Sequence, residues 1–120
     1  LSFKTLLAYQ KGFALSMEIF EISKTFPKEE TYSLTDQIRR SSRSVCANIA
    51  EAYRKRRYVK HFISKLTDSD AENSETQVWL QFAMSSGYIS VEIETDLNKR
   101  SEEIGRLINY MIDNPGKFGV

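Results

Sequence analysis

The sequence predicts an all-α protein, an antiparallel up-and-down four-helix bundle. Three observations carry this. Only five Gly and two Pro occur in 120 residues, so long helix-permissive stretches run between few breakers. Apolar residues recur at spacings of three and four. Short alternating runs bounded by turns, the mark of strands, are missing. With 41% apolar and 28% charged residues, the chain has the composition of a globular protein, and its length suits one domain, residues 1–120.

Helix one is expected over about residues 4–25. Leu6, Phe13, Met17 and Phe20 form one apolar stripe, and Leu15, Ile19, Ile22 and Phe26 form a second. Two stripes exceed what a peripheral helix needs for one core. Either helix one shows a wide face to a single bundle, or Leu15, Ile19, Ile22 and Phe26 are buried by another subunit. Phe26-Pro27 ends the helix, because a residue before proline avoids the helical region.

Helix two is expected over about 31–56. At 100° per residue, Leu34, Ile38, Val45, Ile49 and Ala52 fall in one sector, while Arg39, Arg43, Arg54 and Arg57 cluster in another. An uninterrupted helix therefore presents an arginine ridge opposite its core face. No strong breaker follows, and the turn near Arg54–Tyr58 is the least defined boundary. Helix three, about 58–86, carries Val59, Phe62, Ile63 and Leu66, a polar middle, then Val78, Trp79, Leu80, Phe82 and Ala83. Gly87 serves as its C-cap and Ser90 as the N-cap of helix four, about 90–113, whose apolar side holds Ile93, Leu97, Ile104, Ile108 and Met111.

Several function classes drop out. The longest apolar run, Leu6 to Tyr9, is far short of a membrane span of roughly 20 residues, and no apolar signal segment leads the chain. The single cysteine, Cys46, makes no internal disulfide, in keeping with the cytoplasm. The first residue is not Met, which reads as a trimmed start. A di-iron bundle site needs two Glu-x-x-His pairs, yet His61 is the one histidine and Tyr58 stands three before it; His61 reads as exposed or interfacial. A closed zinc site needs four ligands and is equally unsupported. Asp68, Glu72 and Glu75 share one helical face, but helix four offers no matching carboxylate spacing, so they read as a solvated face or as partners for arginines. Cys46 reads as a small buried hydrophobe. No glycine-rich phosphate loop occurs. The sequence therefore predicts no enzyme, no cofactor and no metal.

Charge remains. The net charge of +1 hides an asymmetry: eight bases and one acid, Glu51, between Arg39 and Lys60, against nine acids and two bases between Asp68 and Glu103. Arg39, Arg43, Arg54, Lys55, Arg56, Arg57 and Lys60 either contact nucleic-acid phosphates, with Tyr53 and Tyr58 near enough to stack, or pair with acids of helices three and four.

The stretch FPKEETYSLTDQIRRSSRSVCANIAEAYRKRR, Phe26 to Arg57, resembles the signature of the bacterial 23S rRNA-intervening-sequence protein family, FP-x-E-x-YGL-x-x-QLRRA followed by S-I-P-x-NIAEG and a basic run. Phe26, Pro27, Glu29 or Glu30, Tyr32, Leu34, Gln37, Arg39, Arg40, Ser44, Asn48, Ile49, Ala50 and Glu51 match. Ala8 to Lys11 and Leu80 to Ile89 resemble two further family segments. Ser33, Ile38, Cys46 and Ala52 replace the family's Gly, Leu, Pro and Gly. The resemblance implies a non-catalytic helical subunit assembling into a ring, with a homopentamer as the pattern. Relatives linked to diversity-generating retroelements are accessory proteins that bind nucleic acid and a reverse transcriptase through the ring's basic exterior. The expected partners are thus further copies of the chain, RNA or DNA, and a reverse transcriptase where the gene is retroelement-linked, with no membrane. The alternative is a protein-interaction module without nucleic-acid binding.

Overall fold

A computed structural model describes residues 2–120. Four α-helices follow one another: α1 Leu7–Ser23, α2 Leu34–Arg54, α3 Val59–Ser85 and α4 Val91–Asp113. Short 3-10 turns occupy Phe3–Thr5, Lys28–Glu30 and Pro115–Phe118, and no strand occurs among the described residues. Among the described residues, no helix is long and apolar enough to cross a membrane.

Cross-helix bonds set the antiparallel register. Between α1 and α2, Ser16 meets Ser42 at 3.0 Å and Ser23 accepts from Arg39. Ser41 meets Thr76, and Ser69 donates to the Val45 carbonyl, so α3 runs against α2. Ser101 of α4 is bonded by Asn73 and Gln77 of α3. The ion pairs Lys11–Glu103 and Arg100–Glu18 tie α4 back to α1.

The helix ends differ from expectation by a few residues, each for a local reason. Ser2 caps a separate turn at Phe3–Thr5 and Leu6 is extended, so α1 begins at Leu7 rather than near Lys4. At the start of α2, Ser33 does not cap with its hydroxyl. The Glu30 carboxylate takes that place, accepting from Leu34 N, the Ser33 hydroxyl and the Tyr88 hydroxyl. These bonds hold its carboxyl below the ordinary range and raise the Tyr88 phenol. α2 then runs unbroken through Cys46 and stops at Arg54. At the far end of α3, Gly87 takes φ +81°, with Tyr88 N bonded to Ala83 O and Gly87 N to Met84 O. That is a Schellman ending, which needs the left-handed residue that glycine adopts without strain. Ser90 Oγ accepts from Ile93 N and starts α4, as anticipated.

The core residues expected on α2, Leu34, Ile38, Val45, Ile49 and Ala52, are all buried. On α3 the buried set is Phe62, Leu66, Ser69, Asn73, Thr76, Leu80 and Ala83, spaced 4, 3, 4, 3, 4 and 3. This is one unbroken stripe whose middle is polar. Val59, Val78 and Phe82, apolar residues of α3, lie on the outside, as does Ile93 on α4. Ser16, Ser41, Ser42, Ser69, Asn73, Thr76 and Ser101 thus form a buried polar layer across all four helices, with the bonds named above satisfying it. Gly12 lets α1 approach α2 at this level: a Cβ there would stand 3.2 Å from Cys46 Sγ. Cys46 itself is buried as expected, and burial pushes its thiol up to about 11.

Candidate nucleic-acid interface

The outer stripe of α2 is Arg39, Arg43, Ala47, Ala50 and Arg54, at helical spacings of four, four, three and four, with Arg43, Ala47 and Arg54 exposed and Arg39 and Ala50 half-buried. The expected arginine ridge is therefore interrupted. Cations occupy its two ends, and two alanines form a saddle between them. Arg43 and Arg54 stand eleven residues apart, about 16 Å along the axis.

At the N-terminal end, Arg39 Nε donates to Ser23 Oγ at 2.7 Å, and its guanidinium lies 4.7 Å from the Phe20 ring centroid. Arg43 covers the same ring at 5.6 Å. Phe20, assigned to an apolar stripe from its spacing, is thus a platform that orients two cations. A groove of about 420 Å³ runs here between Thr31, Thr35, Arg39, Arg40, Arg43 and Ser44, with Asp36 at its edge.

The other end is built by the chain leaving α2. Arg56 Nε donates to Tyr53 O at 2.8 Å and its Nη1 to Phe118 O at 3.1 Å, with the guanidinium stacked 3.6 Å over the Tyr53 ring. Tyr53 is buried beneath it, so its expected stacking on bases is corrected: Arg56 already occupies its face. Tyr58 is exposed beside His61, their rings 5.5 Å apart. Arg54, Lys55, Arg57 and Lys60 project into solvent.

Among the described residues, none of Arg39, Arg43, Arg54, Lys55, Arg56, Arg57 and Lys60 forms an ion pair. Some of the acids pair with other bases: Glu103 with Lys11, Glu18 with Arg100, Glu75 with Arg40, and both Glu51 and Asp68 with Lys65. The Lys65 ammonium, 2.9 Å from Glu51, holds that carboxyl below its usual range, and Lys11 does the same to Glu103. Pairing of the Arg39–Lys60 cations with acids of α3 and α4 is therefore realised by Arg40 alone. Glu72, between Asp68 and Glu75, has one carboxylate oxygen buried without a partner. Desolvation first, and Glu75 second, push its carboxyl up.

Of the two readings of helix one's second stripe, burial by another subunit is corrected. Leu15, Ile19 and Phe26 are buried in the protomer's own core and Ile22 is half-buried against it. The core takes the second stripe because it lies in phase with Ala8 and Gly12, where α1 comes nearest α2. The first stripe is left outside: Phe13 is 52% and Met17 46% exposed. With Phe3, Tyr9, Ala47 and Ala50 they line an apolar groove of about 440 Å³ beside the α2 saddle. Sequence reading missed this groove, although small residues at 47 and 50, in phase with Arg43 and Arg54, were the available signal.

Comparison with known proteins adds two findings. A family model described as 23S rRNA-intervening sequence protein matches residues 4–110. Among solved structures, the chain is similar to a protein of unknown function from the S23 ribosomal protein family of Bacteroides thetaiotaomicron, at 30% identity and a TM-score of 0.80, covering 89% of this chain and 96% of that one. No curated protein matches.

Proposed function

From its membership of the 23S rRNA-intervening sequence protein family, to which this chain belongs, we propose that the protein is a non-enzymatic, cytoplasmic accessory scaffold. In this reading it forms a homo-oligomeric ring, a pentamer, and binds RNA or DNA through the cations of α2 and the turn after it. One observation carries the nucleic-acid part: seven cations, grouped at the two ends of α2 and without a carboxylate partner among the described residues, in a chain whose net charge is only +1. Unpaired guanidinium and ammonium groups on one side of a bundle are an electrostatic footprint for a polyanion. A ring multiplies that footprint, so weak contacts on each subunit add up.

Two unlike apolar patches support the ring. One is the groove around Phe13 and Met17 on α1 and α2. The other is Val78 and Phe82 on α3, both about half exposed beside Trp79. Mating unlike patches is head-to-tail association, which closes into rings when the rotation allows. A reverse transcriptase, where one is encoded alongside, would meet the same basic exterior.

Filter binding to a structured RNA and to duplex DNA, at low and moderate salt, tests the first part. Binding should weaken steeply with salt, and an Arg54→Ala, Arg57→Ala, Lys60→Ala variant should lower the log–log slope by about 0.7–0.9 for each lost phosphate contact. No binding at low salt, or an unchanged slope in the variant, would remove the reading. Light scattering tests the second part: a mass of 13.9 kDa at micromolar concentration would exclude the ring, and Met17→Glu should dissociate it without loss of helix.

A further inference from the structure

We propose that the recess at the end of α2, walled by Arg54, Arg56, Arg57, Gly119 and Ser2, is a receptor for a phosphate monoester, the terminal phosphate of a nucleic-acid strand. It rests on the nucleic-acid reading above and adds to it which part of the polymer is held there. The recess has a volume of about 400 Å³, within the range of small-ligand sites.

Its chemistry is that of an anion site. Three guanidiniums line it, and none has a carboxylate partner among the described residues. Glu51, the nearest acid along the chain, is occupied by Lys65. Arg56 is placed in advance. Its bonds to the Tyr53 and Phe118 carbonyls and its stacking on Tyr53 fix the plane of the group. Both partners are neutral carbonyls, so the full positive charge remains. Two of its five N–H groups are engaged, and the rest are available to a ligand. A guanidinium already held still loses little freedom when it binds. Ser2 Oγ accepts from Lys4 N, which leaves its hydroxyl proton to donate.

Gly119 shapes the wall. It takes φ +84°, a conformation strained for any other residue, and a Cβ there would stand 2.9 Å from Arg56 Nη1 and push the guanidinium aside. Residues 2–3 line the other side. A terminal monoester carries close to two negative charges at neutral pH, against one for each internal diester, and so answers three guanidiniums better. Tyr53 offers no free face for a base, so the recess reads the phosphate and not the sequence.

The test is fluorescence anisotropy with one single-stranded sequence in three forms: 5′-phosphorylated, 3′-phosphorylated, and hydroxyl at both ends. Alongside it, inorganic phosphate is titrated while the Arg56 Nε–H signal is followed by NMR. One phosphorylated form should bind about tenfold more tightly than the hydroxyl form, and which form it is identifies the end recognised. The preference should shrink below about pH 6, where the monoester takes up a proton. In an Arg54→Ala, Arg57→Ala variant, whose exposed positions leave the core untouched, it should fall to about twofold or less. Equal affinities for all three forms, or a preference that survives the double variant, overturn the proposal while leaving nucleic-acid binding in place. If no oligonucleotide binds but phosphate still shifts the Arg56 signal in the parent and not in the variant, the recess stands and the nucleic-acid reading falls. No response to either probe removes both.

Discussion

Replacing Asn73 by Ala tests whether the polar layer holds the bundle together. Asn73 is 3% exposed, donates to the Ser101 carbonyl at 2.9 Å and accepts from Ser101 Oγ at 2.8 Å. Each bond contributes about 1 kcal/mol net, and the Ser101 hydroxyl proton left without its partner adds roughly 1 more. Gln77 still donates to Ser101 Oγ, so the acceptor side stays satisfied. The expected cost of N73A is therefore about 3 kcal/mol, a large share of the 5–15 kcal/mol typical of a whole domain. For 120 residues an unfolding entropy of about 2.1 cal/mol/K per residue converts this to a fall in Tm of about 12 °C. S101A should cost about 2–3 kcal/mol, because it leaves Asn73 Oδ1 unpaired. In the double variant neither orphan exists, so the two costs should fall short of additivity by about 1–2 kcal/mol. Urea denaturation at one fixed protein concentration, with unchanged m-values, is the assay. Additivity within about 0.5 kcal/mol, or a cost below about 1 kcal/mol for N73A, would show that the layer is incidental.

Three further outcomes follow from the same geometry. Leu15→Ala should destabilise the protomer by about 2–5 kcal/mol, and Phe13→Ala by about 0.5 kcal/mol or less once the chain is dissociated, which calorimetry at high dilution separates. Glu72→Gln should raise Tm at pH 7. The Glu72 carboxyl is pushed above the ordinary 4.5, so its contribution favours folding below that value and is lost as pH rises through the folded one; the gain should therefore vanish by about pH 4. Native Cys46, with its thiol near 11, is about 0.1% thiolate at pH 8, and should react with a disulfide reagent at least about a hundredfold more slowly than the urea-unfolded chain.

The helix count, the turns and the α2 core were legible because each is a local property. Gly87 and Ser90 announce a left-handed ending and a capping hydroxyl. The spacing of Leu34, Ile38, Val45, Ile49 and Ala52 leaves one way to bury them all. The cations were legible as residues, but their partners were not. Nothing in composition says that Lys65 reaches Glu51 or that Arg40 reaches Glu75, since both pairs join different helices.

By itself the sequence determined the class of fold, the family, and the presence of an unbalanced basic segment, because periodicity and motif are written along the chain. Tertiary structure decided which stripe of α1 lies inside, that Ser69, Asn73 and Thr76 are core while Val78 and Phe82 are not, and that Arg56 covers Tyr53. The physical reason is common to the first two, while Arg56 is held over Tyr53 by the Phe118 carbonyl of the C-terminal turn. Burial and pairing depend on what a neighbouring helix brings opposite: Ser41 and Ser101 make polar residues welcome inside, and with no helix opposite, Phe13 stays outside.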